Sequence, residues 1–183
     1  MKKTLIVIIA IFSFSACELT DVLEVSPPNN LVPENVVLDA ASAENLLRGA
    51  YASFNDRYLY RFTESIPGLL SGSMEVRTVG DRLIESNAIL SDNANARNFW
   101  IAFYKQVNSA NNVLELVGNL PDDEFAGTRK QEILAEAFFL RGMAHFDLLR
   151  YYGQFYDLNS SLGVIIRTTP VDFTERNKAR SSV

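Results

Sequence analysis

The sequence predicts an all-α fold of tetratricopeptide-like helical hairpins with long polar loops. Two long segments, 97–118 and 128–152, repeat apolar residues at helical spacing and are joined by a short connector containing Pro121 and two aspartates. A third helical pattern precedes them between Ser42 and Phe54. A strand is a candidate only at Val164-Ile165-Ile166, where an extended wrap fits equally well.

Composition narrows the function classes. With 183 residues, 48% hydrophobic and 21% charged, the chain has the material for one globular domain rather than a disordered tail. Its net charge of -5 and the lack of a basic run argue against a nucleic-acid partner. One cysteine excludes an internal disulfide, and one histidine leaves no Cys/His cluster for a structural metal. A Ser-His-Asp system would rest wholly on His145, and nothing in the sequence calls for a cofactor.

Residues 1–16 read as a signal peptide. Lys2 and Lys3 precede the apolar run Leu5–Phe14, and Ser15-Ala16 supplies small residues before the cut. The run is well short of the ~20 apolar residues a spanning helix needs. Phe14-Ser15-Ala16-Cys17 resembles a bacterial lipobox, which makes the lone cysteine the expected lipid attachment point: its thiol takes the diacylglyceryl group. Two or more acyl chains give stable anchoring. Residues 17–38 are then a lipidated extended tether, since Pro27-Pro28-Asn29-Asn30 and Pro33 oppose a helix.

The helical domain is assigned to 39–183. Ser42 is the expected N-cap of its first helix, with Glu44 in the first turn and Leu46, Leu47, Ala50, Tyr51 and Phe54 on the buried face. A second helix is expected over 58–73, kinked or split at Pro67-Gly68. Residues 71–98 form a long polar loop rich in turn formers. In the next helix Trp100, Phe103, Tyr104, Val107, Asn111, Leu114 and Val117 share a stripe. Thr128 and Gln131 then suggest a capping box for the last helix, with Gly153 as its C′ residue. That helix is apolar nearly all round, which predicts a central place. The tail 168–183 lacks periodicity, and its last serines are placed to cap a helix that does not follow, so the sequence reads as interrupted.

Four features in chain order carry a family resemblance. They are Cys17 with its Pro-containing leader; Ala43-x-x-Leu46-x-x-Gly49-Ala50-Tyr51; Phe99-Trp100-x-x-x-Tyr104-x-x-Val107-x-x-Ala110-Asn111; and the run from Ala135 to Gly153, including Phe139-Leu140-Arg141-Gly142, Asp147-Leu148-Leu149-Arg150 and Tyr152-Gly153. Together they resemble the N-terminal portion of the SusD/RagB-type outer-membrane nutrient-binding lipoproteins of Bacteroidetes. Phe138 and Gly142 depart from the family's usual Arg and Ala. The resemblance implies a surface-exposed, lipid-anchored outer-membrane protein that is not an enzyme. It would capture oligosaccharides or other nutrients and pass them to a SusC-like TonB-dependent transporter.

The loop 73–98 holds the expected ligand contacts, Glu75, Arg77, Asp81, Arg82 and Asn87, because these groups hydrogen-bond sugar hydroxyls. Trp100, Tyr104 and Asn111 are read as structural on their helical stripe. Glu136 and Arg141 are expected in structural ion pairs, and His145 as a satisfied imidazole. Two other functions compete. A surface glycoside hydrolase needs paired carboxylates across a cleft. Asp122, Asp123 and Glu124 are clustered, but on a connector where they favour the next helix N-terminus. A helical-repeat scaffold would bind a protein partner and retain no glycan.

Overall fold

The computed structural model describes residues 37, 39–77, 82–171 and 177–183; Cys17, the tether and Asp81 lie outside them. Helix α1 (Ala40–Ala52) starts earlier than its apolar spacing suggests, because Asp39 rather than Ser42 is the N-cap. The Asp39 carboxylate accepts from the Ser42 N–H at 2.7 Å, and the Ser42 hydroxyl accepts from the Asp39 N–H at 3.0 Å. This reciprocal pair satisfies two donors that the helix end would otherwise leave open. Leu47 and Ala50 are buried on the expected face, whereas Tyr51 is exposed.

Helix α2 (Arg57–Leu70) runs through Pro67 as one element, not as two pieces. A proline there cannot donate to the carbonyl four residues back, that of Thr63. The Tyr151 hydroxyl donates to that oxygen instead, at 3.3 Å. A partner from a distant helix thus fills the gap in the backbone ladder. Among the described residues of the following segment is one four-residue helix, α3 (Arg82–Glu85), which buries Ile84.

Helices α4 (Ala94–Gly118) and α5 (Arg129–Tyr152) form the antiparallel hairpin that the sequence predicts. Three bonds fix the direction. Lys130 Nζ donates to Leu120 O at 2.5 Å, Arg141 to Asn111 at 3.1 Å, and the Tyr152 hydroxyl to Ala96 O at 2.7 Å. Helix α4 starts three residues early because Asn93 accepts from the Ala96 N–H at 3.0 Å. The capping box expected at Thr128 is absent. The backbone of Thr128 (φ -97°, ψ 9°) is not in the extended region typical of an N-cap, and its hydroxyl turns to Glu132 at 2.7 Å. Gly153 is likewise not left-handed (φ -105°). Close approach favours a glycine there: a Cβ would lie 2.5 Å from Leu149 Cδ1 and 3.0 Å from Leu149 O, so both would have to shift.

Helices alone make up the regular structure of the described residues, so the fold is all-α. Phe62 of α2, Phe99 and Phe103 of α4, and Tyr151 of α5 form an aromatic cluster; Phe99 lies 4.6 Å from Phe103 and 4.9 Å from Tyr151, centroid to centroid. Ile133, Ala137, Leu140, Ala144 and Leu148 give α5 one buried stripe at 3.6-residue spacing. Helix α1 lines one flank of that stripe in parallel: Glu44 pairs with Arg129, and the Tyr51 hydroxyl donates to Glu136. The side away from the stripe is open, with Phe139 65% and Phe146 63% exposed. Being apolar on several sides did not bury α5 all round.

Candidate ligand-binding surface

Two clefts lie along α2. The larger, about 290 Å³, is lined by Arg57, Tyr58, Arg61, Phe62 and Asn95. It sits where the first turns of α2 and α4 meet. Asp56 caps α2 by accepting from the Tyr58 N–H at 2.9 Å. Tyr58 and Phe62, one turn apart, stack with their rings 6.0 Å apart and 12° from parallel. The Arg57 guanidinium lies 4.8 Å from the Tyr58 ring centre, and Arg61 lies 5.4 Å from that of Phe62. Aromatic faces attract cations, so these contacts restrain both long side chains. The second cleft, about 120 Å³, is mostly apolar and is bordered by Ile66, Ile84, Ile89 and Phe99. Arg150 at its rim pairs with Asp147 at 2.8 Å. Burial raises the Asp147 carboxyl, and the Arg150 charge opposes that shift.

On the other flank of the α5 stripe, segment 165–171 is tied to the hairpin by side chains. The Tyr104 hydroxyl donates to Ile165 O at 2.9 Å and accepts from the Ile165 N–H at 3.0 Å. Asn111 Nδ2 donates to Arg167 O at 3.2 Å and to Thr169 O at 2.8 Å, while its Oδ1 accepts from Arg141. Arg141 also donates to Thr168 O at 3.0 Å. His145 Nε2 accepts from the Arg167 N–H at 3.1 Å, and Asn108 Oδ1 from the Val171 N–H at 2.8 Å. The segment is therefore an extended wrap, not a strand: side chains supply the partners that a neighbouring strand would. With Nε2 accepting, His145 Nδ1 carries the proton and donates to Arg141 O at 3.0 Å. Burial holds this imidazole below its usual range. The same cause raises the Tyr104 and Tyr152 phenols.

A family model described as starch-binding, associating with the outer membrane, and named SusD-like, matches residues 21–183. The chain belongs to the SusD-like family. This SusD-like chain is also similar to SusD-like protein P2 of Formosa agariphila, with 26% identity over 136 residues. Those residues are 72% of this chain and 26% of that protein, so the chain spans about a quarter of the length of the curated relative. No solved structure matches it.

The residues that carry the SusD-like resemblance have distinct jobs. Trp100 packs at 4.9 Å, edge to face, on Tyr152 and at 4.8 Å on Tyr104. Tyr104 and Asn111 hold the wrap. Glu136 pairs with Arg129 at 2.9 Å, and Arg129 also bridges Glu44 and Glu132. The Arg129 bond lowers the Glu44 carboxyl, and the Glu136 bond raises the Tyr51 phenol. Arg141 is placed differently from the ion pair the sequence suggests. Among the described residues it has no carboxylate partner; it bonds Asn111 and the wrap, and lies 5.0 Å from the Phe138 ring centre.

Of the expected ligand contacts, Glu75, Arg77, Arg82 and Asn87 are exposed, and Asp81 lies outside the described residues. Asn87 has a left-handed backbone (φ 55°), a conformation asparagine tolerates. None of the four lines either of the α2 clefts. The cleft residues Arg57, Tyr58, Arg61 and Asn95 escaped sequence reading. Their signal was present as two arginines and two aromatics, each pair four residues apart on a helix. The acidic connector turns out to be an exposed turn in which Asp122 is held by Lys130 at 2.6 Å.

Proposed function

We propose that this chain is the N-terminal helical part of a surface lipoprotein that binds oligosaccharides and delivers them to a SusC-like TonB-dependent outer-membrane transporter. It binds without catalysis. The family match across residues 21–183 is the observation that carries this reading. The lipobox-like Phe14-Ser15-Ala16-Cys17 supports lipid anchoring at Cys17 and exposure at the cell surface. Ligand contact is assigned to Glu75, Arg77, Asp81, Arg82 and Asn87, which follow α2 in sequence. The side chains of Glu75, Arg77 and Arg82 are exposed and make no hydrogen bond among the described residues, which leaves them available to sugar hydroxyls.

Affinity electrophoresis of the full chain in gels containing soluble starch and other glycans tests the reading. Retardation by at least one glycan, with no release of reducing ends, is expected. Glycan cleavage abolished by a single carboxylate substitution would replace it with a hydrolase. Absence of retardation by every glycan, together with capture of a protein partner, would favour a scaffold.

A further inference from the structure

The smaller cleft along α2 is built for a different kind of group than a sugar ring. Ile66 and Leu70 of α2, Ile84 and Ile89 beyond it, and Phe99 of α4 wall a space of about 120 Å³. Tyr151 and Tyr152 close the α5 side, with their hydroxyls bonded to Thr63 O at 3.3 Å and Ala96 O at 2.7 Å. Among the described residues that line it, Arg150 alone is charged. Its Nη2 is bonded to Asp147 at 2.8 Å and to the Tyr151 hydroxyl at 3.3 Å, and its Nε and Nη1 make no hydrogen bond among the described residues. Sugar hydroxyls entering such a space would lose water without gaining partners, which costs free energy. A group with nothing to donate enters without that cost. Apolar cavities of about 150 Å³ take a benzene ring, and this cleft is of that order. Leu70 and Ile89 at its edge are 39% and 43% exposed, so an occupant has apolar surface left to cover.

We infer that this cleft receives an aromatic substituent carried on the captured glycan, a ring joined to the sugar through an ester or glycosidic oxygen. The inference rests on the proposed glycan-binding function and names the substrate class within it: aryl-substituted oligosaccharides. Ile84 and Ile89 belong to the same segment as Arg82 and Asn87, the proposed sugar contacts, so sugar and substituent fall to neighbouring residues. Phe99 and Tyr151, themselves packed edge to face at 4.9 Å, give an incoming ring aromatic partners of the geometry such rings prefer. The unused N–H groups of Arg150 suit the carbonyl oxygen of an ester. Asp147 and the Tyr151 ring, 4.9 Å from the Arg150 guanidinium, restrain that side chain before a ligand arrives, which reduces the ordering cost of binding.

Calorimetric titration of the full chain with methyl maltotrioside and phenyl maltotrioside tests the inference. The phenyl glycoside should bind about tenfold tighter, because its ring leaves water for an apolar cleft. Leu70→Trp and Ile89→Trp each fill the cleft from its exposed edge, and the ratio of phenyl to methyl affinity should fall toward one in both. Equal affinities in the unaltered chain overturn the inference and leave glycan binding standing, as does a ratio preserved in both variants with intact melting transitions. If one variant fails to fold, the unaltered chain and the other variant decide. If neither maltotrioside binds, titration with benzyl alcohol decides the cleft. Saturable binding that weakens in the variants keeps the aryl cleft while the starch-type glycan reading falls, and no binding removes the cleft as well.

Discussion

Segment 165–171 and the described residues between α2 and α4, 71–77 and 82–93, use their polar groups differently. The backbone of 165–171 is bonded by Tyr104, Asn108, Asn111, Arg141 and His145, all on the hairpin. Residues 82–93 insert Ile84 into the core, and Glu75, Arg77 and Arg82 are exposed to solvent. The first arrangement locks a chain path; the second exposes hydrogen-bonding groups to solvent. Ordering costs about 1–2 kcal/mol per residue, so a wrap without its own ladder needs many such partners. The hairpin and its wrap serve as support, and the open segment carries the ligand contacts proposed above.

The largest expected effect probes the support directly. Phe103→Ala removes a ring buried against Phe99 and Tyr151, and should cost about 3–5 kcal/mol in chemical denaturation. A cost below about 1 kcal/mol would mean that the aromatic cluster does not hold the hairpin. Next comes Asn111→Ala. It strips two bonds from the wrap and one from Arg141, and should cost about 2–3 kcal/mol. Amide exchange at Arg167 and Val171 should accelerate more than exchange within α2. Uniform acceleration would show that the wrap is not a separate unit.

A pH effect sharpens the same contrast. Burial lowers His145 below its ordinary value of 6.5, and the Arg141 charge adds to that shift. The fold favours neutral imidazole, so the unfolded chain takes up the proton first. The stability His145 contributes is present above about pH 6.5 and falls as pH drops through that value toward the lowered folded one. Melting midpoints from pH 7.5 downward should decline less in His145→Gln than in the unaltered chain. Parallel profiles would contradict the role of Nε2 as acceptor. The smallest effect is expected on the open segment: Glu75→Ala should change stability by no more than about 0.5 kcal/mol. Glycan retardation should weaken in that variant, and unchanged mobility shifts would remove Glu75 from the contact surface.

Legibility in the sequence followed the range of the forces. The long helices α4 and α5 were visible because their apolar spacing is local and sustained. Their starts were less so, since Asp39 and Asn93 won as caps over Ser42 and the first apolar turn. Thr128 had the right partner at Gln131, but its backbone turned the hydroxyl toward Glu132. Tyr104 and Asn111 could be placed on a helical stripe, yet their use as clamps depends on residues more than fifty positions away. Arg141 looked like half of an ion pair because buried charge needs compensation; an amide and a carbonyl supply it here. The Arg57–Arg61 cleft needed the first turns of α2 and α4 brought together, which no local pattern encodes.

Backbone amide shift mapping of the full chain with the glycan that retards it most tests the division of labour most directly. The account predicts perturbations centred on residues 75–77 and 82–87, with 165–171 unmoved. Perturbations concentrated on 165–171 and its clamp residues, with 75–77 and 82–87 silent, would contradict it.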